Sequence, residues 1–232
     1  MDKGKYKLRS KRVRFIIGIF SVFLPQIIKR KLLVHILHYE IHPNSYIGFS
    51  LIYPKHLIMK NNSKIGNLNI CKGLSLLELK EFATIGNLNW ITGVPSESKA
   101  FCEEKNRKPQ LVLNRHSAIT NRHLIDCCNS VSIGNFSTVA GFRSQILTHS
   151  IDLVESKQKS SPVTIGSYCF IGTGVTLLAG STLPDNCILG ASACLAESFT
   201  ESFFLYGGVP AKPIKKLKCN LKYFYRKEGF VL

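Results

Sequence analysis

From Ile165 the chain advances in steps of six residues: IGSYCF, IGTGVT, LLAGST, LPDNCI, LGASAC and LAESFT. A branched aliphatic opens each step, at Ile165, Ile171, Leu177, Leu183, Leu189 and Leu195. Four residues later comes a mostly small side chain, at Cys169, Val175, Ser181, Cys187 and Ala193, with Phe199 closing the run. Neither an amphipathic helix nor an alternating strand has this period. A fixed short period marks a solenoid, and six is the period of hexapeptide β-helix repeats. Each hexad then forms one short strand and a turn, and three hexads close a triangular coil of eighteen residues. Successive coils stack about 4.8 Å apart. The aliphatic points inward onto its counterpart one coil away, and the small residue fits the corner.

The same rhythm is present upstream. IGFSLI begins at Ile47, IGNLNI at Ile65, IGNLNW at Ile85, and IGNFST followed by VAGFRS at Ile133. Two stretches lack it. Residues 93–112, GVPSESKAFCEEKNRKPQLV, mix charges with two prolines and read as a loop leaving the coil. Downstream of Val139 the pattern fails again, and LTHSIDLVESKQKSS (Leu147–Ser161) intervenes before PVTIG restores it. The chain is thus expected to divide into an N-terminal segment 1–46, a hexapeptide-repeat β-helix 47–212 with excursions near 93–112 and 148–162, and a C-terminal helix and tail 213–232. The spacing of Ile214, Leu217, Leu221 and Phe224 behind Pro213 predicts that last helix.

A solenoid tolerates an excursion where chain leaves the stack, and excursions on one face build binding sites. His149 sits at the lip of the second excursion. Imidazole titrates in the range needed to take a proton from a hydroxyl near neutral pH, so His149 is a candidate general base. Asp152, three residues on, or a backbone carbonyl can accept from its other ring nitrogen. His123 and Asp126, in ITNRHLIDCC, either line the same cleft or serve the coil edge. Trp90, the only tryptophan, either stacks on a sugar or packs. A glycine-turn amide within Gly172–Gly174 can face a developing oxyanion.

The hexads, together with YGGVPAKPIKKL at Tyr206–Leu217, resemble the left-handed β-helix acyltransferases of the hexapeptide-repeat superfamily, and more narrowly the O-acetyltransferases of surface-polysaccharide biosynthesis. The resemblance covers residues 47–217. It implies an all-β, left-handed parallel β-helix, a homotrimer with sites between subunits, and His149 as the catalytic base. The reaction it implies carries an acetyl group from acetyl-CoA to a sugar hydroxyl without an acyl-enzyme. It also implies donor contacts at the turn amides of Thr173 and Ala191, at Gly174, and at Lys212 and Lys215. One departure stands out: many members have Thr-Lys where this chain has Ala196-Glu197. An acidic acyl carrier protein is therefore an alternative donor for this basic chain. The alternative readings are an amine acceptor on an amino sugar or nucleotide sugar, and a non-catalytic β-helix scaffold. The superfamily's zinc enzymes need three converging histidines; His116 and His123 lie seven apart and His149 far off, so no metal is expected.

Formal net charge is +17, and residues 1–31 hold ten Lys or Arg against one Asp. The RNA- and DNA-module motifs are missing, so nucleic acid is not the expected partner. The charge instead flanks an apolar run, Phe15–Leu24, that lacks a signal-peptide cleavage site and is too short to span a bilayer. It reads as an anchor in an anionic membrane interface or as a cap on the β-helix. The eight cysteines show no metal spacing and suit a reducing compartment. The expected location is the cytoplasm, peripheral to the inner membrane face.

Overall fold

The computed structural model describes residues 11–104 and 106–231. Its strands form three sheets of seven, nine and seven strands, parallel except for the last pair of the nine-stranded one. Apart from that pair and one separate two-stranded hairpin, the strands visit the three faces in turn. The inward columns are those the hexads demand: on the first face Met59, Leu79, Leu113, Ile133, Ile165 and Leu183 stack in register and are buried. On the second, Ile47, Ile65, Ile85, Ile119, Val139, Ile171 and Leu189 do the same. Cys169 and Cys187 are buried and free, stacked as small corner residues.

First-face register steps are 18 residues (Glu40↔Ile58), 20 (His56↔Leu76), 34 (Leu76↔Gln110), 20 (Gln110↔Ser130), 32 (Val131↔Val163) and 18 (Thr164↔Thr182). Coils of 20 residues explain why IGNLNW begins late. The steps of 34 and 32 contain the two excursions. The first is irregular, with one 3₁₀ turn at Lys99–Phe101. The second, expected to be a loop, is a β-hairpin pairing His149–Asp152 with Lys157–Ser160.

The corner between the first two faces carries Phe82, His116, Phe136 and Tyr168, all with φ between 57 and 60°. Such a left-handed backbone is costly for non-glycine residues. Ring stacking at centroid distances of 4.6, 4.7 and 4.8 Å offsets part of that cost, as do amide bonds to the preceding coil from His116, Phe136 and Tyr168. His116 is a member of this ladder.

The C-terminal segment does fold back on the coils, but not as a helix. Lys212–Lys216 is a strand antiparallel to Phe204–Gly207, followed by a 3₁₀ turn at Lys222–Tyr225. The last coil leaves an open sheet edge, and backbone pairing there outcompetes the helical spacing. Of the four residues so spaced, only Phe224 is buried. Arg226 then lies over the rings of Tyr223, Tyr168 and Phe136.

The N-terminal segment forms helices α1 (Lys11–Val22) and α2 (Gln26–Leu37), broken at Pro25. The sheet begins at Glu40, ahead of the expected boundary at Ile47. The helices close the first coil: Leu33 and Leu37 enter the core, and Gly18 packs against Leu51 and Tyr53. Arg14 donates to the carbonyls of Pro54 and Lys55 at 2.8 and 2.7 Å, and Lys29 to those of Ile47 and Gly48 at 3.1 and 2.7 Å. A solenoid end needs such a cover. No helix among the described residues is long and apolar enough to cross a membrane.

Candidate active site

The third face positions the site. Strand Leu124–Asp126 pairs with Trp90–Thr92 on one side and Gln145–Leu147 on the other. Ile91, Ile125 and Ile146 point inward, so their neighbours point out. Asp126 therefore lies on the outer face opposite Leu147, with Thr148 and His149 next along the chain. Its carboxylate accepts from the Cys128 amide at 3.0 Å, the Thr148 amide at 2.9 Å, the Thr148 hydroxyl at 3.0 Å and the His149 amide at 3.2 Å. The ring Nδ1 of His149 lies 2.7 Å from Asp126 Oδ2. Burial by itself pushes the Asp126 carboxyl up, but hydrogen bonds from Cys128, His149 and Thr148 more than offset it and hold its pKa below the ordinary value. A carboxylate in this place fixes the Nδ1–H tautomer and leaves Nε2 free.

The expected partner, Asp152, is not the one that holds the ring. Three residues along a strand it faces the other way, and its Oδ1 accepts from the Val154 and Glu155 amides at 3.0 and 3.1 Å in the hairpin bend. Asp126, expected as an acceptor-binding residue, occupies the position instead. Stacking the strand residues HLID of 123–126 on SQIL of 144–147 was the sequence signal that would have found it.

His123 is buried in the wall of a shallow groove on this face rather than standing free in it. It continues a buried ladder running through Ser50, Asn69, Asn89 and Ser144. Its amide donates to Asn89 Oδ1 at 2.9 Å, and its Nδ1 accepts from the Ser144 amide at 3.1 Å. Nε2 thus carries the proton and donates to Thr120 Oγ1 at 2.9 Å. Burial drives the His123 pKa down from 6.5 to about 4. Below the higher value the unfolded chain takes a proton that folded His123 refuses until about pH 4, so stability falls as pH drops through that window, by roughly 3 kcal/mol at most. Relative to wild type, His123→Asn should flatten the dependence of urea-unfolding free energy on pH across that range. Parallel slopes would show that His123 is not the group responsible.

The two excursions meet at His149. Phe101, from the first, presents its ring edge-on at 6.2 Å between centroids. Arg107 lies 4.3 Å over Phe101 and donates to the carbonyls of Val94, Pro95 and Cys128. Glu104 accepts from the Ser160 amide at 2.6 Å and from its hydroxyl, and Lys157 pairs with Glu103 at 3.0 Å. Phe101 and Arg107 were missed because contacts between two irregular segments leave no period to read. The His149 side chain stays 43% exposed, which leaves a substrate access to the ring. Asp126, Cys128 and His149 each bring one ligand atom within 4.8 Å of the others. Burial pushes the Cys128 thiol up to about 12 and Asp126 is already filled by donors, so the group suits hydrogen bonding better than metal coordination.

Of the three amides at Gly172–Gly174, two are committed: Gly172 N–H to Leu189 O and Gly174 N–H to Phe142 O, at 2.8 and 2.9 Å. The amides of Thr173 and Ala191, one coil apart, have no acceptor among the described residues. The Thr173 hydroxyl bonds Phe142 across the corner. Beyond Ala191, Ala211 N–H bonds Cys194 O, and Lys212 and Lys215 stand exposed on the closing strand, in no ion pair among the described residues.

Upstream along the same face lies a shallow groove of about 400 Å³ lined by Leu88, Trp90, Arg122, His123, Leu124, Arg143, Ser144 and Gln145. Trp90 is 51% exposed, with Lys72 Nζ 5.9 Å from its ring centroid, so it is not a core residue. Arg122 and Arg143 form no ion pair among the described residues. The row Trp90, Leu124, Gln145 stands two residues, about 6.6 Å, from the row that holds Asp126.

In overall shape the chain matches the polysialic acid O-acetyltransferase OatWY, with a TM-score of 0.59 and 19% identity over 80% of this chain and 90% of that one. It is a left-handed β-helix of the hexapeptide-repeat type. No family model matches this hexapeptide-repeat chain. A probable acetyltransferase of Mycobacterium tuberculosis is 25% identical over 172 residues, 73% of this chain and 54% of that protein. The galactoside O-acetyltransferase of Escherichia coli K12 is 30% identical over 69 residues, 30% of this chain and 34% of that protein. The hexapeptide-repeat chain thus spans about half the length of the first curated relative and about a third of the second.

Proposed function

We propose that the protein is an O-acetyltransferase that moves an acetyl group from acetyl-CoA to a sugar hydroxyl. The observation that carries this reading is the half-exposed His149 held by buried Asp126 at the lip of the coil. Asp126 accepts from Nδ1–H, and Nε2 takes the proton of the acceptor hydroxyl as its oxygen attacks the thioester carbonyl. The oxyanion that forms on the thioester carbonyl calls for a hydrogen-bond donor beside it. Collapse of the intermediate breaks the C–S bond, and the thiolate leaves with the proton held at Nε2. Attack is direct, so no acyl-enzyme forms.

The donor's pantetheine arm runs along the free amides of Thr173 and Ala191 past Gly174, and Lys212 and Lys215 meet its phosphates. An acidic acyl carrier protein fits the same basic end and is the alternative carrier. The acceptor lies in the groove, its ring on Trp90 and an acidic group toward Arg122 and Arg143. His123, set in the wall, contributes only through Ser144. The hairpin tip exposes Ile151, Leu153 and Val154 beside His149, which supports a homotrimer whose next subunit covers the site.

Acidic and neutral glycans incubated with acetyl-CoA should gain 42 mass units, with the acidic ones preferred, and mild base should remove the ester. An acetyl group that survives base would establish the amine acceptor instead. Arg122→Ala with Arg143→Ala should raise KM for the acidic acceptor about 10-fold and leave KM for acetyl-CoA unchanged. Equal losses for neutral acceptors would remove the charge argument.

A further inference from the structure

Helix α1 is amphipathic in the wrong sense for a cap. Its inward face carries Arg14, Gly18 and Ser21, with Ile17 partly buried against the core. Ile16, Ile19 and Phe20, with Phe23 just past the helix end, form a stripe turned outward, at whose edge Phe15 meets Tyr53. Phe20 and Phe23 are 65% and 77% exposed, and Ile27 and Ile28 at the start of α2 extend the apolar surface at 65% and 53%. A soluble helix spends its large apolar residues on the core, so a continuous outward stripe marks a surface made for another apolar phase.

The basic residues are sorted as well. Arg14 and Lys29 are buried against backbone carbonyls and belong to the cap. Arg12 and Lys31 are exposed at the flanks, and no acidic residue occurs between Asp2 and Glu40. A second copy placed on this face would bring the same positive charge with it, whereas an anionic bilayer brings the opposite one. The segment thus caps the β-helix with one face and has a second face to spare.

We infer that the outer face of α1 and the start of α2 dock the protein on an anionic lipid bilayer, lying in the interface rather than crossing it. This stands independently of the acetyl-transfer reading, since neither His149 nor the groove takes part.

Deletion of the segment is a poor test, because it would also uncover the first coil. The full chain should instead be mixed with phosphatidylcholine vesicles, with and without phosphatidylglycerol, and sedimented at low and high salt. It should sediment with the anionic vesicles and be released by salt. Phe20→Asp with Phe23→Asp should cut partitioning at least 10-fold with an unchanged melting temperature. Arg12→Glu with Lys31→Glu should abolish the preference for anionic lipid. Failure to bind either vesicle at low salt would overturn the inference. So would an aspartate variant that still binds, or one whose only change is a smaller mass in solution, which would make the stripe a self-association face.

Discussion

His149→Ala is expected to lower turnover by on the order of 10²-fold or more while leaving the coils folded. The side chain is half-exposed and makes one polar ring contact, to Asp126, plus an edge contact with Phe101. Removing it takes away the proton acceptor without opening the core. Donor binding should persist, because Thr173, Ala191, Lys212 and Lys215 lie on later coils. The measurements are steady-state acetyl transfer, acetyl-CoA affinity and thermal melting on the same preparation. Near-normal turnover in this variant would end the general-base reading, whatever the acceptor proves to be.

Asp126→Asn should cost about 10- to 100-fold in turnover, whereas Asp152→Asn should cost little. Asp126 Oδ2 accepts from Thr148, the His149 amide and the ring, and Oδ1 from Cys128. An amide side chain must aim its NH₂ at one of these donor sets, so either the ring loses its acceptor or the Cys128 amide faces a donor. Both outcomes misplace His149, and the first also frees its tautomer. Asp152 meets the hairpin itself, the Val154 and Glu155 amides at its bend and, at 3.9 Å, Lys159 on its second strand. A larger loss at Asp152 than at Asp126 would show that the hairpin rearranges during catalysis. A lower melting temperature in Asp126→Asn is also expected, so turnover should be compared well below the melting transition.

The histidine was legible in the sequence for a reason its partner was not. His149 marks the break in a period, and breaks are local features that need no partner to be seen. The tie to Asp126 depends on how many residues each coil spends. Coils of 20 residues, and a register of 21 between Leu124 and Gln145, bring Asp126 level with Leu147. Asp152, near in sequence, faces away because side chains alternate along a strand. His123 shows the same lesson in reverse. A histidine beside an aspartate resembles a site, yet its position in the coil matches Asn69 and Asn89, and the ladder claims it.

The hexad period by itself determined the three-faced coil, the inward columns and the place where chain leaves the stack, because each follows from a repeat that every coil satisfies with its neighbours alone. The excess of cations in the first 31 residues was equally plain in the sequence. Only the tertiary structure decided which carboxylate holds His149, that two excursions of unrelated sequence close on it, that the C-terminal segment pairs as a strand, and that the N-terminal helices cap the coil with one face and bare the other. Each of these depends on contacts between segments far apart in the chain, and such contacts leave no periodic trace in either segment.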